Sequence, residues 1–128
     1  MDTTVYRPDM EQHFMVLEPI LNRIIIRLPS GPLLADSANA IRLLESGDTP
    51  YDPVTYVPRQ DIKVDLLDNV VQTYCPLKGT ASYFDYVDHQ VRFEKLAWSY
   101  LEPHDFAQEI KGLVAFYADK VIIEEHPV

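Results

Sequence analysis

A thiol, an amine, a glycine and several hydroxyls crowd into the segment Thr73-Tyr74-Cys75-Pro76-Leu77-Lys78-Gly79-Thr80-Ala81-Ser82-Tyr83, which holds the chain's only cysteine and one of its four glycines. Cys75 could act as a nucleophile or redox thiol. A nearby cation lowers a thiol's pKa and raises its thiolate fraction, and Lys78 follows it closely in sequence. The competing reading is a small hydrophobe buried in a strand. No histidine adjoins Cys75, and spacing does not decide which of His13, His89 or His104 folds beside it. Lys78-Gly79-Thr80 could hold an anion, because glycine admits close backbone approach, amides and hydroxyls donate, and lysine adds charge. A P-loop is excluded, since its leading glycine and following helix are missing. The alternative is a turn or β-bulge carrying a solvated lysine.

A second stretch, Ala97-Trp98-Ser99-Tyr100, carries the only tryptophan. Trp98, Tyr83 and Tyr100 could stack on a planar ligand, or fill the core as aromatics at strand spacing commonly do. Arg59 with Asp61 and Asp65 reads either as a polar cluster lining a pocket or as surface charges of little energetic weight. The histidines stand at 13, 89, 104 and 126, without ligand spacing between any two, so no metal is expected. Asp36-Ser37 lacks a nucleophile elbow and reads as a turn. The candidate ligand-binding set is therefore Arg59, Tyr74, Cys75, Lys78, Gly79, Thr80, Ser82, Trp98 and Ser99, with Cys75 the candidate for catalysis. A pocket for a small anionic or aromatic ligand is one function class. The other is a non-catalytic structural or interaction module whose exposed strand edges pair with another chain or with a second copy.

Many short strands must position these residues. Arg23–Leu28 is β-branched and ends at Pro29-Ser30-Gly31-Pro32, with Leu33–Ser37 as the return strand. Asn39–Leu44 fits strand or helix and is taken as strand; Val54–Val57 follows the loop 47–53 and stops at Pro58. Asp61–Leu66 alternates polar and apolar residues as a half-buried strand does, and 67–72 reads as a connection. Ser82–Val87 and Gln90–Phe93 form a hairpin, and Leu96–Tyr100 a strand. One helix is expected, with Asp105 and Gln108 as a capping box, Phe106, Ile110 and Leu113 on one face, and Gly112 at the stop. Val114–Tyr117 and Val121–Ile123 then make a hairpin. The expected core is Ile24, Ile26, Ile62, Val64, Tyr83, Trp98, Phe106, Ile110, Phe116 and Ile122. The fold class is mostly β: a curled sheet or barrel-like sandwich with one short helix near the C-terminus. Residues 1–20 are expected as an N-terminal arm bracketed by Pro8 and Pro19, 21–125 as one β-rich domain, and 126–128 as a frayed tail.

Composition narrows the partners. The 128 residues make one domain, with 47% hydrophobic and 24% charged content ordinary for a globular chain. Twenty acids against eleven scattered bases give a net charge of −9, which disfavours nucleic acid and anionic membrane. A lone cysteine excludes an internal disulfide and any multi-cysteine zinc site. With no basic-then-apolar leader and no long apolar run, a cytoplasmic protein outside the membrane is expected.

Several segments together resemble a known set. Pro58-Arg59-Gln60-Asp61-Ile62, the segment Tyr74–Tyr83, Ala97-Trp98-Ser99-Tyr100, and Ala115-Phe116-Tyr117 with Val121 are similar, in order and spacing, to the domain of unknown function 427 family. The likeness spans roughly 22–124. It implies a compact β-rich fold related in topology to Mss4-like domains, and it supplies no catalytic assignment. Leu77 stands where similar sequences commonly carry a second tyrosine. Some families of Mss4-like topology bind zinc or reduce oxidised methionine, but fold does not carry function with it, and the cysteine pairs those functions require are missing here.

Overall fold

The computed structural model describes residues 3–7, 10–47 and 49–128. Pro8, expected to bracket the arm, and Asp48 of the loop 47–53 lie outside the described residues. The strands are β1 Thr3–Arg7, β2 Met10–Pro19, β3 Arg23–Arg27, β4 Leu33–Ser37, β5 Ile41–Ser46, β6 Val54–Val57, β7 Leu67–Cys75, β8 Gly79–Asp88, β9 Val91–Ser99, β10 Val114–Phe116 and β11 Ile122–His126. Eight of them form one antiparallel sheet in the order β1-β2-β5-β6-β10-β9-β8-β7, and β11-β3-β4 form a second.

The large sheet curls on itself. Four strand spacings separate β5 from β8 in that order, which in a flat sheet amounts to roughly 19 Å. Yet Lys78, at the entrance to β8, bonds Glu45 of β5. The curl stops short of a barrel, since among the described residues no ladder joins β1 to β7.

Strand alternation divides the buried side chains between the two faces of this sheet. Tyr56 and Ala115 join Met15, Leu17, Leu43, Leu77, Ala81 and Tyr100 on the side toward which it curls. Their neighbours Val57 and Phe116 join Phe84, Ala97 and Val114 against Ile24, Ile26 and Leu34 of the small sheet. The site described below sits at the edge of the first of these clusters.

Several expectations need correction. Among the described residues there is no α-helix: Asp105–Ile110 is a 3-10 segment broken at Ala107 (φ −121°, ψ 23°), with His104 rather than Asp105 as its N-cap. Gln108 does not close a capping box; its amide donates to the Pro103 carbonyl at 2.9 Å. Residues 61–66 stay out of the ladders apart from a bridge at Ile62 to Ala35, although Ile62, Val64 and Leu66 do pack on the core as their alternation required. The ladder strand is instead β7, in the stretch read as a connection. Val114–Phe116 and Ile122–His126 make no hairpin, because they join different sheets. Val121 is buried at 8% exposure whereas Ile122 is 46% exposed. The expected N-terminal arm contains β2, whose Met15 and Leu17 are buried, so this stretch is part of the sheet.

Candidate functional site

Two rows of inward side chains run off the apolar core into polar groups at the same end of the sheet. On β5 the row is Ile41, Leu43, Glu45; on neighbouring β2 it is Leu17, Met15, His13, with Met15 opposite Glu45 in the ladder. Alternation alone therefore brings an imidazole beside a carboxylate, and His13 Nε2 lies 2.7 Å from Glu45 Oε2. The third member comes from across the curl. Leu77, fully buried in the turn between β7 and β8, anchors that turn in the core. Gly79 closes it at φ +112°, where an added Cβ would meet Pro103 Cα and the His104 amide nitrogen at 3.3 Å. The His104 N–H also donates to the Lys78 carbonyl at 3.1 Å. With its backbone so fixed, Lys78 donates from Nζ to Glu45 Oε1 and holds its ammonium over the Tyr100 ring, 5.6 Å from the centroid.

The three charged or polar groups are largely withdrawn from water, with side-chain exposures of 9% for Glu45, 12% for Lys78 and 18% for His13. Burial alone would raise the Glu45 pKa. The charge and hydrogen bonds of Lys78 and His13 outweigh it, and the carboxyl titrates below its ordinary range. Burial pushes the Tyr100 and Tyr56 hydroxyls up; Tyr56 Oη accepts from Trp98 Nε1 at 3.1 Å.

The group opens onto a cleft of about 470 Å³ lined by His13, Glu45, Tyr51, Asp52, Val54, Tyr74, Cys75, Pro76 and Lys78. Cavities of this size take small molecules. The half-buried Cys75 forms one wall, and its Sγ, a ring nitrogen of His13 and a carboxylate oxygen of Glu45 all lie within 4.8 Å of one another. The fold therefore puts His13 beside the thiol, while His104 bonds Tyr74 Oη at 3.1 Å and His89 is 94% exposed.

The sequence profile of the family described as Domain of unknown function (DUF427) matches residues 16–126. The chain belongs to that family. No curated protein matches it significantly. In this DUF427 domain no helix among the described residues is long and apolar enough to cross a membrane.

Of the residues expected to bind a ligand, the domain gathers only Tyr74, Cys75 and Lys78 at the cleft. Gly79 shapes the turn. Thr80 is exposed opposite Tyr74 in the β7–β8 ladder. Ser82 pairs with Ser99 on the face away from Trp98, and Ser99 Oγ is buried with no hydrogen-bond partner among the described residues. Trp98 packs with Tyr117 at 4.6 Å between centroids and does not line the cleft. Arg59 lays its guanidinium over Phe84, 4.8 Å from the centroid, against the other core, and Asp61 accepts from Ser37 Oγ at 2.7 Å. Glu45, Tyr51 and Asp52 were not anticipated as site residues. For Glu45 a signal existed: an acid at the next inward position after Ile41 and Leu43 in a strand.

Proposed function

We propose that this DUF427 domain binds a small ligand in the cleft between the β2–β5 end and the β7–β8 turn. The observation that carries this reading is the withdrawal of Glu45, Lys78 and His13 from water at the cleft wall. Buried ion pairs contribute little net stability on average, so a chain that builds one beside a cavity has a use for its groups. Lys78 spends one donor on Glu45 and keeps two for a ligand.

The lining also narrows the ligand. Two acids, Glu45 and Asp52, face one lysine, so an anion on the free donors of Lys78 would also lie against two carboxylates. A planar neutral or cationic molecule, resting on the exposed Tyr51 and Tyr74 rings and hydrogen-bonded to Glu45 and Lys78, suits the lining better. An unpaired thiol fits a reducing, cytoplasmic setting. The test is a thermal-shift screen of planar metabolites on wild-type protein and on Lys78→Met. A compound at about a hundred times its Kd adds roughly 2.7 kcal/mol to the wild type. The variant, measured against its own unliganded midpoint, gains nothing. Equal gains in both proteins would move the ligand elsewhere.

One observation favours a second reading, pairing through a strand edge. β7 is the outer strand of the large sheet, and it presents Val70 at 99%, Leu67 at 41% and Val71 at 38% exposure. Unpaired edges bearing apolar side chains invite another strand. Sedimentation of wild type against Val70→Lys checks it: a self-association abolished by the lysine supports edge pairing, and a monomer at high concentration removes pairing with a second copy.

A further inference from the structure

We infer that His13, Glu45 and Cys75 form a site for a divalent transition metal of the zinc class, with its open coordination position facing the cleft. This rests on the cleft reading and names an occupant for it, and the test below separates the two.

The donor set comes first. Imidazole, carboxylate and thiolate are the three ligand types zinc takes from proteins, and three protein ligands with a fourth position left open is the arrangement of sites that bind or activate a small molecule. A thiolate with an imidazole selects zinc-like ions over magnesium and calcium, which prefer all-oxygen ligands. The three ligand atoms lie within 4.8 Å of one another, close enough to surround one ion. The His13–Glu45 contact is 2.7 Å. Two ligands at about 2.0–2.1 Å from a tetrahedral ion stand roughly 3.3 Å apart, so the pair must part by only about 0.6 Å.

Their neighbours also fit. Lys78 bonds Glu45 Oε1, leaving Oε2, the oxygen beside His13, to turn to the ion. Such an outer hydrogen bond orients a ligating carboxylate. The charges balance: Glu45, Asp52 and a Cys75 thiolate supply three negative charges, against Lys78 and a divalent cation. All three ligands come from different strands, β2, β5 and β7, which is why their sequence spacing gives no hint of them. Binding replaces the thiol proton, and any second imidazole proton, with the ion and releases them to solvent.

The experiment uses tag-free full-length protein stripped by a chelator and titrated with Co²⁺, then Zn²⁺. The expected result is one Co²⁺ per chain, with a thiolate-to-cobalt charge-transfer band that Zn²⁺ bleaches. Cys75→Ser loses the band, and His13→Gln and Glu45→Gln each weaken binding about tenfold or more. A second measurement needs no variant: Zn²⁺ slows alkylation of Cys75 in the wild type, and chelator restores the rate. Stripped wild-type protein that takes up Co²⁺ with no thiolate band, or none at all, and whose Cys75 stays equally reactive in Zn²⁺, overturns the inference. If a planar compound still stabilises that protein, the cleft reading stands without the metal. If Co²⁺ binds as expected and no compound stabilises, the small-molecule reading falls and the metal site stands.

Discussion

Glu45 and Asp85 are both carboxylates withdrawn from water beside a cation, and the molecule uses them differently. Asp85, 2% exposed, is saturated: it accepts the Lys95 backbone N–H at 2.8 Å, Asn69 Nδ2 at 2.9 Å, and two nitrogens of Arg92 at 2.7 and 2.8 Å. Those partners mark the irregular points of the sheet. Lys95 has a left-handed φ of 50°, and the ladders of β8 with both β7 and β9 shift register near Asn69 and Asp85. Asp85 is thus a strut that ties two bulges together, and nothing remains on it for a ligand. Among the described residues Glu45 has only His13 and Lys78 on its oxygens, with a thiol and a cleft beside them. A buried carboxylate with unused acceptor capacity next to open space is a site; one with every lone pair taken is architecture.

The largest expected effect comes from breaking the strut. Asp85→Ala leaves the Lys95 amide and Asn69 without their acceptor and frees a strained residue, and we expect a loss of about 3 kcal/mol in urea denaturation. Ligand stabilisation of the folded variant stays intact, because Asp85 does not line the cleft. A ligand effect from this substitution would erase the distinction.

Lys78→Met is expected to lower stability by about 2 kcal/mol, because it strands the Glu45 charge in a largely buried position. Adding Glu45→Gln to it should recover most of that loss, since the stranded charge is then gone as well. A double variant no more stable than the single one would show that packing, rather than charge, holds the turn.

Acid sharpens the comparison further. Glu45 and Asp85 both titrate below their ordinary values; burial alone would raise each, and the bonds from Lys78 and His13, or from the Lys95 amide, Asn69 and Arg92, outweigh it. A depressed carboxyl stabilises fully above its unfolded pKa of about 4 and loses that contribution as pH falls through the lower folded value. Wild-type stability should therefore drop below about pH 4, and Glu45→Gln should remove part of that slope. A variant profile parallel to the wild type would mean that Glu45 is not held ionised by its neighbours.

Cys75→Ser is the smallest change. The thiol is only half-buried and on the wall of a cleft, so a loss under about 1 kcal/mol is expected. A large loss would make Cys75 a packing residue.

How much of this could be read from the chain followed local rules. β3, β4, β6 and the β8–β9 hairpin showed in β-branched runs and turn residues, and Ile24, Ile26, Ile110 and Phe116 are buried as expected. The helix failed because a capping-box spelling cannot tell whether Gln108 turns to an amide or, as here, to the Pro103 carbonyl. β7 was missed because its residues are exposed at the edge of the sheet, so no apolar rhythm marks it. Half of the site was visible as the chemistry of Tyr74, Cys75 and Lys78. Its other half depends on the curl, a long-range property that sets β2 and β5 against the β7–β8 turn. Trp98 reads in the sequence as a stacking surface with Ser99 beside it, whereas the alternation of β9 puts the two on opposite faces and neither lines the cleft.

The central claim is that the Glu45–Lys78–His13 cleft takes a small molecule, and Cys75, as the only cysteine, reports on it directly. The measurement is the alkylation rate of Cys75 in native, chelator-treated protein across a panel of planar compounds. The account predicts at least one compound that slows the reaction saturably, with the same Kd as its thermal shift, and that loses this protection in Lys78→Met. A panel in which no compound protects the thiol, or in which protection is equal in wild type and Lys78→Met, would contradict it.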